Sequence, residues 1–573
     1  MFAQQGQFDG PAELPRIHVK SALADTPSPG KVIAVHAGDD LQSALNSAEC
    51  GARLELEAGA TFAGNFRFPP KPCDDAHWIT VRTSAPDASL PPEGARLTPC
   101  FAGVASLPGR PDFHCTAVKN VMAKIEFNRK SGMGPLIFLS GANHYRLIGL
   151  EVTRAPSPNL VSALTSVNEG GQADHLVFDR VWMHGDAVDE TTRALALVGS
   201  SHVAVIDSFF TDFHCVAVTG ACTDAQVISD GGGRAPSGQF KIENNFLESS
   251  GENILFGGGG ASMTPADIVI RHNYFFKPMI WKPGEPGFVA GASGRPFIIK
   301  NLFEIKNAQR VLFEDNVLEN SWGGFSQNGY AIMLTPKNQS GHCPLCRDSD
   351  VTIRYNRISN VGSVFSIANV ADDDGSLSAQ GDHYSIHDVL AENVRGNQDN
   401  FQGAGLAFQL LSISPLLHDI QIEHVTAYVP RAAFAIMTRG TKLVNFKIEN
   451  NLLSTGEYSI VSSGGGAENC ADRPNIQGPA GVFKSCLVNS SFTHNLMIGD
   501  GGWPSGNWSS GSTHGAGILE TSDPQKPYEF CSEKNKDCKK ASPGWHGGTD
   551  GKNVGADLDE LAKRLAGVTS GVE

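Results

Sequence analysis

Long apolar runs are missing from this chain. No stretch of its 573 residues approaches the roughly 20 apolar positions that a membrane-spanning helix needs. Positive charge is also scarce: 45 Lys and Arg stand against 60 Asp and Glu, a net charge of −15. That balance argues against a general binder of nucleic acid or anionic membrane. Long amphipathic helical patterns are nearly absent, which leaves short strands joined by turns. Met1 to Gln5 show neither a basic n-region nor an apolar h-region, as expected of a mature chain whose signal has been removed. The glycine run Gly257 to Gly260 is not a phosphate loop, because no Lys-Ser/Thr and no helix follow it.

Cysteine is present in even number, as sequential neighbours: Cys50 and Cys73, Cys100 and Cys115, Cys215 and Cys222, Cys343 and Cys346, Cys470 and Cys486, Cys531 and Cys538. Neighbours in sequence suit local disulfides within loops. Cys343 and Cys346 alone have redox or metal spacing. No βαβ context surrounds them, and no second zinc-type pair exists. Disulfides throughout imply an oxidising setting, secreted, periplasmic or at the cell surface.

What the chain does have is a recurring phrase, apolar-polar-X-Asn-apolar-apolar. It occurs at Ile242–Leu247, Ile270–Phe275, Phe313–Leu318, Ile353–Ile358, Leu390–Val394, Ile448–Leu453 and Phe492–Met497. Weaker copies lie around Leu150, Arg180, Ser208 and Val425. Gaps of roughly 26 to 44 residues predict a short structural unit carrying loops of variable length. The unit reads as strand, tight turn at the Asn, strand. Asn tolerates left-handed backbone, and at the strand spacing of about 4.8 Å its amide reaches the copies above and below.

Residues 1–30, rich in Pro, Gly and polar side chains, are expected to form an extended arm. A capped helix is expected at Asp39 to Leu45, closing the open end of a stack. The regular stack is expected over about 135–500 within a single domain spanning 31–500. A loop-rich tail, 501–573, is expected to end in a short helix at Asp557 to Leu565.

The Asn-turn repeat and the helix-capped start resemble the right-handed parallel β-helix proteins of the pectate-lyase-like superfamily over roughly residues 31–500. The resemblance implies an all-β solenoid of three-stranded coils, with the Asn at the short turn between second and third strands. By that phase Ile254 to Phe256, Leu302 to Lys306, Ala331 to Thr335, Val364 to Ala368, Ala407 to Leu411 and Phe434 to Thr438 share one sheet. In the family that sheet usually carries the substrate cleft. Three insertions, Phe276 to Ile299, Pro336 to Ser349 and Asn369 to His383, flank it, as loops that carry function do.

On that face alternation turns Glu304 and Lys306 outward together. Arg310 is expected in the following turn and Lys337 just past the next strand; Lys300, Lys277 and Lys282 add further cations. Lys306 is the candidate base for β-elimination on a uronate-containing polysaccharide, with Arg310, Lys337, Lys300 and Glu304 around it. Trp281, Trp322 and Tyr330 are candidate stacking faces for sugar rings, and Glu252 a ligand contact beside the glycine run. Asp372, Asp373 and Asp374 form a candidate Ca²⁺ site, with no cofactor otherwise expected. Paired carboxylates drawn from Glu252, Glu304 and Asp372 to Asp374 would instead make a glycoside hydrolase. The paired-Asp motif of polygalacturonases and a clean pectate-lyase Asp/Arg signature are both missing. A non-catalytic carbohydrate-binding or surface β-helix is the third reading. His144, His175 and His202 lie near equivalent turns, and sequence order alone supports no metal triad among them.

Overall fold

The structure is a computed structural model. It describes residues 6–167, 170–217, 222–233, 237–324, 327–413, 416–462, 469–471, 476, 478–532 and 540–570. Contacts divide the chain into two compact units. The N-terminal unit is Ile17–Leu302 with Gly567–Glu573, and the C-terminal unit is Met1–Arg16 with Phe303–Ala566.

Each unit is a stack of parallel strands. In the N-terminal unit Phe66–Phe68, Gly132–Phe138, Val161–Val167, Arg193–Ala196, Gln226–Asp230 and Ile254–Phe256 pair in sequence order. In the C-terminal unit Phe303–Ile305, Tyr330–Leu334, Ser363–Asn369, Leu406–Ser412, Ala432–Thr438 and Ile460–Val461 do the same. Each pairs with the strand one coil further on, which makes the fold a parallel β-helix, as the repeat predicted. In-register apolar side chains fill the interior. One row is Phe303, Ile332, Phe365, Phe408 and Phe434, all fully buried.

The Asn repeat builds a buried amide ladder. Asn316 donates through its backbone N and its Nδ2 to Asn356 Oδ1, at 2.9 and 3.1 Å. Asn245 makes the same pair of bonds to Asn273, and Asn451 to Asn495. Asn507 adds a rung that the phrase did not announce, accepting from Asn495. Two expectations need correcting. The left-handed residue is the one before the ladder Asn: Asn244, His272, Asp315, Tyr355, Asn450 and His494 all have φ between 55° and 60° except Tyr355, at 53°. The phrase at Leu390–Val394 is a false copy, because register places Val389, not Asn393, opposite Asn356.

Helix α1 forms at Leu41–Ser47, with Asp40 accepting from the Ser43 amide at its N-terminus. An unforeseen helix, α2, occupies Gly478–Cys486, and α3 spans Leu558–Arg564 with Asp557 as its cap. The N-terminal arm is not a free extension. Phe8–Asp9 and Ala12–Glu13 pair as a hairpin, and Asp9 accepts from Arg354 at 2.7 Å and contacts His387 at 3.1 Å. Five expected disulfides form: Cys50–Cys73, Cys100–Cys115, Cys215–Cys222, Cys343–Cys346 and Cys470–Cys486. Cys538 lies outside the described residues, so the Cys531–Cys538 pairing does too.

Candidate functional site

Alternation along Phe303–Ile305 sends Phe303 and Ile305 into the core and Glu304 to the other face. Lys306 follows, its Nζ 3.1 Å from Glu304 Oε1. The pair is adjacent, as predicted, but not openly exposed. Glu304 is 1% accessible, and the Lys306 side chain 17%. Thr335, one coil on, donates its hydroxyl to Glu304 at 3.3 Å. Lys337 lies just past that strand, its side chain 20% accessible, donating to Ala371 O at 3.2 Å and pairing with Asp372 at 3.5 Å. Both lysines are thus part-exposed cations, each held by a carboxylate.

Beneath them sits a carboxyl with no sequence signal of its own. Asp348 is fully buried, in register with Ala308 of the previous coil. Burial, reinforced by the charge of Glu304, holds it well above the usual carboxylate range, with Lys306 opposing.

Arg310 is not in a turn. It lies inside the strand Ala308–Glu314 at φ 50°, in a corner of left-handed residues that continues with Asp350, His383, Asp419 and Asn445. Three residues, Asn307 to Gln309, separate it from Lys306. Tyr330 and Trp322 are buried rather than open to a ring, and the Tyr330 hydroxyl donates to Gln409 at 2.7 Å.

The acidic run does not converge. Asp372 accepts from the Ser340 amide, Asp374 from the Ser376 amide two residues on, and Asp373 is exposed. Among the described residues, the groups of three or more ligating side chains that could hold a metal do not include these three. The fit to Ca²⁺ fails, because the oxygens are committed to separate turns.

The remaining predicted residues belong to the N-terminal unit and are sunk in it. Lys277 is fully buried. Its ammonium donates to Ser249 O at 2.7 Å, Ser250 O at 3.2 Å and Asn253 Oδ1 at 3.1 Å, and also to Gly251 O. Burial pushes its amine down to about 7, with Glu252 and Glu248 pulling the other way. Trp281 is 1% accessible, packed edge-on against Phe297 with the Arg110 guanidinium 5.5 Å from its ring. Lys282 is also buried and pairs with Glu285 at 2.9 Å.

Lys300 pairs with Asp224 and lies 3.6 Å from Glu252, which is wholly buried and accepts from Gln226 at 2.8 Å. Burial lowers the Arg193 guanidinium while Asp224 and Glu252 raise it, so Arg193 belongs to the same network. Arg193, Asp224 and Gln226 had no motif to mark them; their only sequence signal is polar character beside an apolar strand.

A cleft of about 490 Å³ opens elsewhere in the C-terminal unit, lined by Arg395, Gly403, Arg431, Glu457 and Tyr458 among others. Its polar residues lie on turns that lead into Leu406–Ser412 and Ala432–Thr438, or follow the strands Gly381–Val394 and Leu452–Ser454. Gly403 is required there, since a Cβ would fall 2.3 Å from Gly362 Cα. Tyr458 is 48% accessible, unlike the aromatics predicted from sequence.

No family model and no curated protein matches the chain. Solved structures do. A PL6 family alginate lyase, AlyGC, is 13% identical with a TM-score of 0.45, over 92% of this chain and 58% of the other. The chain therefore spans little more than half the length of that protein. A PL6 family polysaccharide lyase from Pseudopedobacter saltans is 10% identical with a TM-score of 0.43, over 90% and 99% of the two chains. A mannuronic acid specific family 6 lyase from human gut microbiota is 10% identical with a TM-score of 0.47, over 84% and 91%.

Proposed function

We propose that this chain cleaves an acidic, uronate-containing polysaccharide by β-elimination, at the part-exposed lysines of the C-terminal unit. The observation that carries the reading is the Glu304–Lys306 pair at 3.1 Å, half-sunken beside the buried Asp348. β-Elimination needs a cation for the uronate carboxylate, a base for the proton α to it, and a proton for the departing oxygen. Lys337 supplies the cation by exchanging Asp372 for the substrate carboxylate. Lys306 is ion-paired in the resting chain and must first lose its proton. A glycan covering the pair excludes water, and a desolvated ion pair is costly. The Lys306 proton then passes to Glu304, leaving a neutral amine and a neutral acid. Lys306 takes the proton from carbon, the C–O bond breaks, and the Lys306 ammonium so formed gives that proton to the leaving oxygen, after which Glu304 returns the first proton to Lys306.

The row Met333, Ser366, Gln409 and Ala435 offers an uncharged floor across which a chain can lie. The cleft at Arg395, Arg431 and Tyr458 offers carboxylate and ring contacts at the opposite strand ends. A hydrolase needs two accessible carboxyls. Glu304 is 1% accessible and Asp348 fully buried, so neither offers the surface from which to protonate a glycosidic oxygen.

The test is incubation with a panel of uronate polysaccharides while following ultraviolet absorbance of unsaturated uronate ends. Expected is a rise with one polymer class. Reducing ends without that absorbance would convert the reading to hydrolysis; retention on a glycan without cleavage would convert it to binding alone.

A further inference from the structure

Three histidines stack in one corner of the N-terminal unit, away from the lysine pair and independent of the proposed activity. His144, His175 and His202 occupy the same left-handed position in successive coils, at φ 55°, 52° and 49°. Neighbouring register pairs, Asn143 with Asp174 and Asp174 with Ser201, fix the alignment. The rings lie parallel with centroids 4.5 Å apart at each step. Two carboxylates approach this stack. Asp75, exposed on the loop that follows Cys73, lies 3.2 Å from His144 Nε2 and 3.9 Å from His175 Nε2. Asp174 lies on the other edge, 2.9 Å from His202 Nδ1 and 2.7 Å from His175 Nδ1, the latter off the ideal hydrogen-bond line.

Hydrogen bonding fixes what His144 presents. Asn143 Nδ2 donates to Lys71 O and Gly141 O, both at 2.9 Å. Its Oδ1 must therefore face His144 Nδ1, 2.8 Å away, and that nitrogen must carry the hydrogen. A neutral His144 then turns a lone pair at Nε2 toward a carboxylate oxygen that is itself an acceptor. Only a proton or a metal cation between them satisfies both. Trp78 packs edge-on against both His144 and His175, at 5.0 and 6.1 Å between centroids, and keeps water off one side.

We propose that Nε2 of His144 and His175, with the Asp75 carboxylate, bind a divalent transition metal of the zinc, nickel or copper class. Imidazole with one carboxylate suits these ions, and the fourth position is left to water. Metal-bound imidazoles usually anchor their second nitrogen on a carboxylate or an amide oxygen, and Asp174 and Asn143 stand where those anchors belong. The ligating atoms of Asp75, His144 and His175 already lie within 4.8 Å of one another. Tilting the two stacked rings toward the ion would bring the nitrogens to about 3.4 Å, the spacing that zinc–nitrogen bonds of about 2.1 Å require. The ion would tie the Cys73 loop to two successive coils.

The test is equilibrium dialysis and chelator competition of the tag-free, disulfide-intact protein with ZnCl₂. Asp75→Asn, His175→Gln and Asp174→Asn are compared with it, and circular dichroism confirms each fold. Gln is the conservative choice at 175, because Gln239 occupies the same corner at φ 54°. Expected is one Zn²⁺ per chain, a raised melting temperature with Zn²⁺ and none with Ca²⁺. Binding should be lost in Asp75→Asn and His175→Gln, and weakened about 10- to 100-fold in Asp174→Asn. No saturable Zn²⁺ binding, or binding unchanged in the folded Asp75→Asn and His175→Gln variants, would overturn the site.

Discussion

The two units hold their lysines in opposite ways. In the N-terminal unit Lys277 is wholly enclosed by carbonyl oxygens, and Lys300 is drawn into a carboxylate network with Asp224 and Glu252. In the C-terminal unit Lys306 and Lys337 keep 17% and 20% of their side chains accessible while pairing with Glu304 and Asp372. The same residue type, drawn from the same stretch of sequence, serves as an internal fastener in one place and as a cation open to exchange in the other. Exposure, set by the loops that cover each strand end, separates the two roles.

The contrast can be broken at its stronger end first. Lys277→Met leaves several buried oxygens without their donor and should cost about 3 kcal/mol. The check is the urea midpoint; a variant as stable as the parent would remove the structural half of the comparison. Next is the amide ladder that both units share. Asn356 bonds to Asn316, Phe313 and Arg354, so Asn356→Ala should cost about 2 kcal/mol by the same measurement.

A smaller effect concerns the hairpin at Phe8–Glu13. Burial disfavours a charged His387, but hydrogen bonds to Asp388 and Asp9 outweigh it and raise the ring to about 9. A folded value above the ordinary one of 6.5 means that this stabilisation is complete below pH 6.5 and is lost as pH rises through about 9. Hydrogen exchange in the hairpin amides should accelerate across that window beyond its intrinsic pH trend, and His387→Ala should abolish the excess. The smallest effect is expected at Asp372→Asn, whose part-exposed pair with Lys337 is worth under about 1 kcal/mol. A larger loss of stability there would make Lys337 a fastener too.

The architecture was legible because the ladder Asn recurs at one position in several coils, and strand phase follows from it. Phe303 and Ile305 inward, Glu304 and Lys306 together on the other face, and Lys337 one coil on were all readable from alternation. Burial was not. Whether Trp281 or Tyr330 meets solvent depends on loops whose path no periodicity encodes, and both are enclosed. The Asn393 copy misled because a similar phrase can fall out of register by four residues, which only strand pairing reveals. Regular spacing of His144, His175 and His202 places their rings in one column.

Parallel assay of Lys306→Met and Lys277→Met on the uronate polymer that gives unsaturated ends, with melting curves for both, tests the division of roles most directly. Lys306→Met should melt close to the parent and lose turnover at least about a hundredfold, whereas Lys277→Met should melt markedly lower. A Lys306→Met protein that cleaves at the parental rate, or that loses cleavage only by losing its fold, would contradict the assignment of chemistry to the part-exposed pair.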